Sequence, residues 1–300
     1  MSRAAPPLTV GMPVYNGERY VADAIEAILG QTYGDFDFVI SDNASTDGTE
    51  DICRSYAGND QRIVYSRLPE NRGATPNFNR VFLMSRSPLF KFAASDDVCA
   101  PRFLDVCMAA HRDAGDKAVL CFPTTIKIDA EGKHLGTIEE RMDLRQSTPH
   151  ARFRAYLQHY YLSNCFYGVV RSAVYGSTRM LKSYDSSDMV LLGELALRGQ
   201  FWQLDEPLFL RRFHVQMSHK ANPTPRRIRR WQDTSIRDRA SLPRSRMFWE
   251  FLRAIDTTEL STTEKMRCRR ELATVWLPKK WKSMVRELVE SVGIPVPRRT

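Results

Sequence analysis

The 300-residue chain has 43% hydrophobic and 26% charged residues, which is typical of a globular protein with a buried core. It contains no run of about 18 apolar residues that would predict a transmembrane helix, and the residues before Pro13 are too few and too polar for a signal peptide. The net charge of +9 is concentrated in residues 201–300, which hold 22 Lys and Arg against 11 Asp and Glu.

The six cysteines are scattered along the chain and include no Cys-x-x-Cys pair. Most of them lie among apolar neighbours, which favours buried free thiols. A reducing, cytoplasmic compartment is therefore expected.

Short apolar runs alternate with helical patterns over the first half of the chain. Strands are predicted at residues 8–14, 36–41, 63–68, 89–94 and 118–123, and helices at 20–29, 46–57, 76–85 and from Pro101 to about residue 110. This alternation favours right-handed βαβ units. The predicted fold class is therefore α/β, with a mostly parallel sheet flanked by helices.

The pattern changes after Pro149. Helices are predicted at 150–160 and 188–199, a strand at 165–170, two short extended pieces at 201–214, a basic Pro-bounded linker at 223–231 and amphipathic helices beyond it. The chain is predicted to divide into a catalytic domain, residues 1–215, and a basic, mostly helical extension, residues 216–300.

Polar residues follow four of the predicted strands, at residues 13–16, 42–45, 71–73 and 96–97. The carboxyl ends of parallel strands meet at one edge of a sheet, where ligands bind in such folds. Four polar loops at this edge predict a binding site. Asp96 and Asp97 repel each other when both are charged, so a positive partner is expected there.

Several of these segments together resemble family 2 glycosyltransferases, which have the GT-A fold. The resemblance rests on residues 12–49, 70–80, 95–97 and 186–214, and covers about residues 8–214. It implies an inverting transfer of a sugar from a nucleotide-diphosphate sugar to an acceptor hydroxyl, in polysaccharide or glycolipid assembly. The acceptor is expected to be a saccharide or a lipid-linked molecule.

The resemblance implies a divalent metal, Mn²⁺ or Mg²⁺, after the fourth strand. In this family an acidic motif there holds a metal that bridges the two phosphates of the donor. Asp96 is the expected ligand, Asp97 is secondary, and His214 is expected near the metal or the diphosphate. Family members often read Asp-x-Asp-Asp, whereas Ala94 stands at the first position here. Alternatively, Asp97 caps the helix near Pro101 or lies in a turn.

The resemblance also implies a set of donor-binding residues. These are Pro13, Tyr15, Asp42, Asn71, Gly73, Asn79 and Arg80. Asp42 is expected to accept a hydrogen bond from the nucleotide base beside Tyr15. Its alternative role is an Asx-turn in a βα loop, and Gly73 is alternatively only a turn residue.

Sugar transfer needs a base for the acceptor hydroxyl, and a positioned carboxylate can take this proton. By resemblance the base is Asp188, which precedes a predicted helix. The family usually has an acid before it, where Ser187 stands here. Asp188 is alternatively a plain N-cap, and Asp185 is the rival base.

Two other functions compete with glycosyl transfer. A sugar nucleotidyltransferase usually carries a Gly-rich loop with Arg or Lys after the first strand, and residues 12–20 contain a single Gly. A nucleic-acid or anionic-surface binding protein would explain the basic third, but that third has no recognisable nucleic-acid motif, so no nucleic acid is expected.

The basic third also predicts peripheral contact with the inner face of a membrane through residues 223–300. Arginines surround Trp231, and Trp281, Val285, Leu288 and Val292 recur at helical spacing among basic residues. Such a face can enter the headgroup region of an anionic bilayer. Alternatively, the same helix packs on the catalytic domain.

Overall fold

A mixed sheet organises the protein, and in the described residues it contains nine strands in the order β3-β2-β1-β4-β8-β6-β9-β5, with β7 paired to β6. The computed structural model describes residues 5–215, 217, 221–222, 224–235 and 242–291. The strands are β1 Leu8–Val14, β2 Phe36–Asp42, β3 Ile63–Arg67, β4 Leu89–Phe92, β5 Val98–Cys99, β6 Ala118–Ile128, β7 His134–Ile138, β8 Val169–Arg171 and β9 Gln200–Arg212.

Helices cover the sheet and continue after its last strand. They are α1 Val21–Leu29, α2 Thr49–Asn59, α3 Ala74–Leu83, α4 Phe103–Ala114, α5 Pro149–His159, α6 Ser172–Gly176, α7 Ser187–Arg198, α8 Pro225–Gln232, α9 Pro243–Thr257, α10 Thr262–Glu271 and α11 Leu277–Ser291. A π-helical turn, Leu272–Trp276, joins α10 to α11.

The central strands explain the apolar runs of the sequence. β1 pairs in parallel with both β2 and β4, and all seven of its residues are buried. A strand that is covered on both faces has a continuous apolar sequence, as β1 does. α1 buries Val21, Ala24, Ile25 and Ile28, which share one helical face. The α/β fold with a mostly parallel sheet is confirmed.

Three sequence-based predictions of secondary structure are wrong. Residues 164–167 form a 3-10 helix, so the strand predicted at 165–170 begins only at Val169. Residues 200–212 form one strand, because they pair with β6 along their whole length, and the ladder accommodates Pro207 by a shift of register. The supposed linker contains α8, whose N-cap Thr224 accepts a hydrogen bond from the backbone N–H of Arg227.

The helices after residue 242 share a core with the sheet. Phe251 and Trp276 are fully buried in the apolar cluster that also contains Phe153 and Tyr156 of α5. The rings of Phe153 and Phe251 meet edge to face, with centroids 5.8 Å apart. The division at residue 215 stays a prediction about chain organisation, and the described helices beyond it pack on the sheet-bearing part.

All six cysteines are free and buried, as predicted. Among the described residues, no helix has the length and apolar character needed to cross a membrane.

A buried ion network joins α7 to α9. Arg179 donates to Glu194 of α7 at 3.1 Å and to Glu250 of α9 at 2.6 Å. Arg198 approaches the other oxygen of Glu194 at 2.8 Å. Both carboxylates are almost fully buried, so each needs its arginine partners to offset the lost hydration of its charge.

We expect Arg179→Met to lower the free energy of unfolding by about 3–5 kcal/mol, because it leaves two buried carboxylates short of a partner. The matched control is Arg253→Met. Arg253 contacts the same Glu250 at 3.2 Å but is mostly exposed, so its loss should cost less than about 1 kcal/mol. Urea unfolding of the two variants measures the difference in the free energy of unfolding. Equal losses would contradict the role of Arg179 as the partner of the two buried carboxylates.

Candidate active site

Two adjoining cavities lie at the carboxyl ends of the strands. The large cavity has a volume of about 630 Å³, and the predicted site residues Pro13, Tyr15, Asn71 and Asp96 line it. The small cavity has a volume of about 150 Å³ and is lined by Asp185, Asp188 and Arg211, among others. The two cavities share the side chains of Ala74, Phe78, Tyr167 and Trp231.

The turn after β1 places Tyr15 at the large cavity. Asn16 adopts a positive φ of 51°, which its short polar side chain tolerates. Its backbone N–H donates to Ser45 Oγ at 3.0 Å, and its Oδ1 accepts from the backbone N–H of Thr46 at 2.8 Å. These bonds fix the β1 turn against the β2 turn and leave the Tyr15 ring 44% exposed.

Asp42 lines neither cavity, and its predicted contact with the base stays a prediction. Its carboxylate is buried and accepts from Ser45 at 2.8 and 2.6 Å and from Tyr65 at 2.8 Å. Burial, followed by the hydrogen bond to Asp42, raises the pKa of Tyr65 well above its usual value, so this hydroxyl stays a donor. The alternative role of Asp42 in an Asx-type turn fits these contacts.

Asn43, the residue after Asp42, lines the large cavity. Its Nδ2 donates to Asn71 Oδ1 at 3.0 Å, and also to the backbone carbonyl of Gly73 at 3.0 Å. Asn43 is not among the predicted donor-binding residues, and its contact with Asn71, 28 residues away, reveals its position.

Gly73, Asn79 and Arg80 serve the scaffold rather than the cavity. Gly73 has φ +90°, and a Cβ there would lie 2.6 Å from the backbone of Asp233. The Asn79 amide is tied at both ends to the backbone of Leu181. Arg80 donates to two serine hydroxyls of β2 and β3. Their predicted contact with the donor stays a prediction.

The two acidic residues after β4 have different environments. Asp96 lines the large cavity, and its side chain is 34% exposed. Asp97 is buried, and its Oδ1 accepts from the backbone N–H of Arg212 at 2.8 Å. Burial first, and the charge of Asp96 second, raise the pKa of Asp97.

Asp97 is thus a scaffold residue that holds the end of β9. Asp97 lines neither cavity, and its secondary role at the metal stays a prediction. The helix-capping alternative is wrong, because the N-cap of α4 is Arg102 and no side chain caps that helix. Asp97 instead holds the backbone of Arg212 at the end of β9, two residues before His214.

Asp96 lines the large cavity, and the buried His214 contacts Asp96 without lining the cavity itself. His214 Nε2 lies 2.9 Å from Asp96 Oδ2, and its buried Nδ1 has no hydrogen-bond partner among the described residues. Within the described part of the chain, no cluster of three His, Cys, Asp or Glu residues could hold a metal. By their chemistry, the Asp96 carboxylate and the His214 imidazole are two groups that could hold a divalent cation.

Asp188 lines the small cavity from the first turn of α7. The N-cap of α7 is Ser186, with a φ of 64°, so the plain N-cap reading of Asp188 is wrong. Asp185 and Arg211 line the same cavity, and the Arg211 guanidinium donates to Asn164 Oδ1. Both candidate bases are therefore at the small cavity, and the choice between them stays a prediction.

Sequence reasoning missed the contribution of α8. Arg227, Arg230 and Trp231 line the large cavity, and Trp231 also lines the small one. Thr224 followed by Pro225 is a helix-start signal that could have located this helix. The number of arginines and the two prolines favoured a linker instead.

Solved structures of known enzymes share this fold. The chain aligns over 96% of its length with 75% of the TarS chain from S. aureus in complex with UDP, at 15% identity and a TM-score of 0.65. It also aligns with the mannosyltransferase PcManGT from Pyrobaculum calidifontis in complex with GDP-Man and Mn²⁺, at 16% identity and a TM-score of 0.52, covering 97% of this chain and 87% of that one. The likeness confirms the GT-A-type fold.

Sequence comparison points to the same family. The chain is 34% identical over 97 residues to the putative teichuronic acid biosynthesis glycosyltransferase TuaG of Bacillus subtilis, a match that spans 32% of this chain and 38% of that protein. The family model of Glycosyl transferase family 2 matches residues 9–176. Because this match covers more than half of the chain, the protein belongs to glycosyl transferase family 2.

Proposed function

We propose that the protein is an inverting glycosyltransferase that moves a sugar from a nucleotide-diphosphate sugar to an acceptor hydroxyl in polysaccharide or glycolipid assembly. One observation supports this most strongly. The large cavity gathers Pro13, Tyr15, Asn71 and Asp96 and adjoins the small cavity that contains Asp188. A donor and an acceptor held in two adjoining cavities can react directly with each other.

The large cavity suits the nucleotide part of a donor. The exposed ring of Tyr15 offers a stacking face for a base. The amides of Asn43 and Asn71 provide donors and acceptors for hydrogen bonds. Arg227 and Arg230 supply positive charge for the diphosphate. The UDP and GDP-Man complexes of the structural neighbours agree with this class of ligand.

A divalent metal, Mn²⁺ or Mg²⁺, would be held by Asp96 and His214. When bound, it neutralises the charge that develops on the departing nucleotide diphosphate. Asp96 can contribute a carboxylate oxygen from the wall of the cavity, and His214 can contribute the nitrogen that now faces Asp96. Asp97 keeps Arg212, and with it the strand end before His214, in position.

Asp188 acts as the general base from the small cavity. Its carboxylate takes the proton of the acceptor hydroxyl as the oxygen forms a bond to the anomeric carbon. In the same step the bond from that carbon to the diphosphate oxygen breaks, and the nucleotide diphosphate leaves. A single displacement of this kind inverts the configuration of the sugar.

Incubation with a panel of nucleotide sugars, with and without Mn²⁺, tests the proposal. Slow hydrolysis of one donor to its nucleotide diphosphate supports a glycosyltransferase. Pyrophosphate-dependent release of a nucleoside triphosphate would instead indicate a sugar nucleotidyltransferase. Salt-sensitive retention on DNA or RNA without any turnover would indicate a nucleic-acid binding protein.

We expect Arg227→Gln to weaken binding of the matching nucleotide diphosphate about tenfold or more, because a hydrogen bond to a charged group contributes about 1.5–3 kcal/mol. Arg226→Gln is the matched control. Arg226 precedes it on α8 and is also exposed, but it lines neither cavity. Titration calorimetry measures both affinities, and equal affinity of the two variants would exclude the phosphate role of Arg227.

A further inference from the structure

Helix α11 carries an apolar stripe that faces away from the core. The stripe consists of Trp281, Val285 and Leu288, which follow each other at spacings of four and three and therefore share one helical face. Their side chains are 49%, 49% and 50% exposed. Three large apolar side chains on one exposed helix face are unusual for a helix that only packs on its own domain.

An adjoining side of α11 is fixed to the protein. Glu287 accepts hydrogen bonds from the backbone N–H groups of Arg244 and Ser245 at 2.9 to 3.2 Å, at the start of α9. Met284 packs against the main apolar cluster. α11 therefore cannot bury the stripe by rotating without breaking these contacts.

Basic side chains flank the stripe. Lys282 and Arg286 are exposed and each follows a stripe residue in the chain, with Lys282 Nζ 5.8 Å from the centre of the Trp281 ring. Lys279 lies on the same turn as Lys282, and its Nζ reaches the carbonyl of Gln158 at 3.3 Å. The acidic groups of α11 are Glu287, which is occupied at α9, and Glu290.

We propose that this face of α11, formed by the apolar stripe with Lys282 and Arg286, docks the protein on the surface of an anionic phospholipid bilayer. The stripe enters the boundary between headgroups and acyl chains, while the basic side chains meet the lipid phosphates. This role is separate from the sugar-transfer chemistry and needs neither donor nor metal.

Charge favours a bilayer over a second copy of the chain. Residues 201–300 carry a net charge of +11, so two such surfaces would repel each other. An anionic bilayer offers the opposite sign together with an apolar interior. Val292, which the sequence pattern adds to the stripe, lies outside the described residues, and the proposal does not depend on it.

Flotation of the full chain with vesicles tests the proposal. We expect binding to phosphatidylcholine vesicles that contain phosphatidylglycerol, little binding to phosphatidylcholine alone, and weaker binding when salt is raised to about 1 M, where charges are screened within about 3 Å. Each basic residue near such a surface strengthens binding about fivefold, so Lys282→Gln with Arg286→Gln should weaken partition about thirtyfold. Trp281→Ser with Val285→Ser and Leu288→Ser should abolish it.

The matched control changes the same kinds of side chain elsewhere. Lys133→Gln with Leu135→Ser alters the hairpin of β7, where Leu135 is also 49% exposed, and should leave vesicle binding unchanged. All variants should keep the wild-type unfolding midpoint and the wild-type donor hydrolysis. Equal binding to neutral and anionic vesicles, binding to neither, or concentration-dependent dimers that the stripe variant abolishes would each overturn the proposal.

Discussion

Replacing Asp188 by Asn is expected to slow sugar transfer by about 10²–10⁴-fold while donor affinity stays unchanged. The amide has nearly the shape of the carboxylate but cannot accept the proton of the acceptor hydroxyl. Asp188 lines the small cavity and not the large one, so its loss should leave the nucleotide contacts intact. Single-turnover transfer to a competent acceptor, with donor affinity measured separately, tests this expectation.

Asp185→Asn is the control, because Asp185 lines the same small cavity at a similar chain position. If Asp188 is the base, the Asp185 variant should keep most of its transfer rate. The reverse result would make Asp185 the base. A collapse of donor affinity in Asp188→Asn, with normal single-turnover transfer, would make Asp188 a binding residue instead.

Asp96→Asn is expected to lose at least about 10²-fold of metal-dependent turnover, because a metal that stabilises developing charge contributes several kcal/mol. The Asp96 carboxylate is the described acidic group at the large cavity, and an amide holds a divalent cation poorly. The measurement is donor hydrolysis over a Mn²⁺ titration, combined with an unfolding curve that shows an intact fold.

The control for Asp96 is Asp23→Asn. Asp23 also belongs to this neighbourhood, since its carboxylate lies 3.2 Å from Arg212, but it lines neither cavity. Its variant should keep its response to Mn²⁺. A normal Mn²⁺ response in Asp96→Asn, or equal losses in both variants, would exclude Asp96 as the metal ligand.

The parts of the fold that local patterns determine could be predicted from the sequence. β1 is a continuous apolar run because all seven of its residues are buried, on both faces of the sheet. α1 shows a 3.6-residue period because one of its faces is buried. Pro13, Tyr15, Asn71 and Asp96 could be predicted at one site because they lie at or after the carboxyl ends of β1, β3 and β4, which meet at one edge of the sheet, whereas their roles came from the family resemblance.

The sequence does not show which distant residues a side chain will contact. Asp42 is the last residue of β2, but Tyr65 donates to its carboxylate, which is buried. Asn79 lies on a helix near the cavity, but its amide bonds to Leu181, 102 residues away. The sequence pattern places a residue at a strand end or on a helix, whereas its partners decide where the side chain points.

The side chain of Trp231 lines both cavities. This restricts how the specificity of the enzyme can change during evolution. Under the proposed roles of the two cavities, a smaller residue at this position would enlarge the space for the acceptor and also remove a surface from the donor side. Selection for a new acceptor would therefore change donor affinity in the same step. Relatives that use bulkier acceptors should carry a compensating change elsewhere in the large cavity, so that substitutions at the two cavities are inherited together.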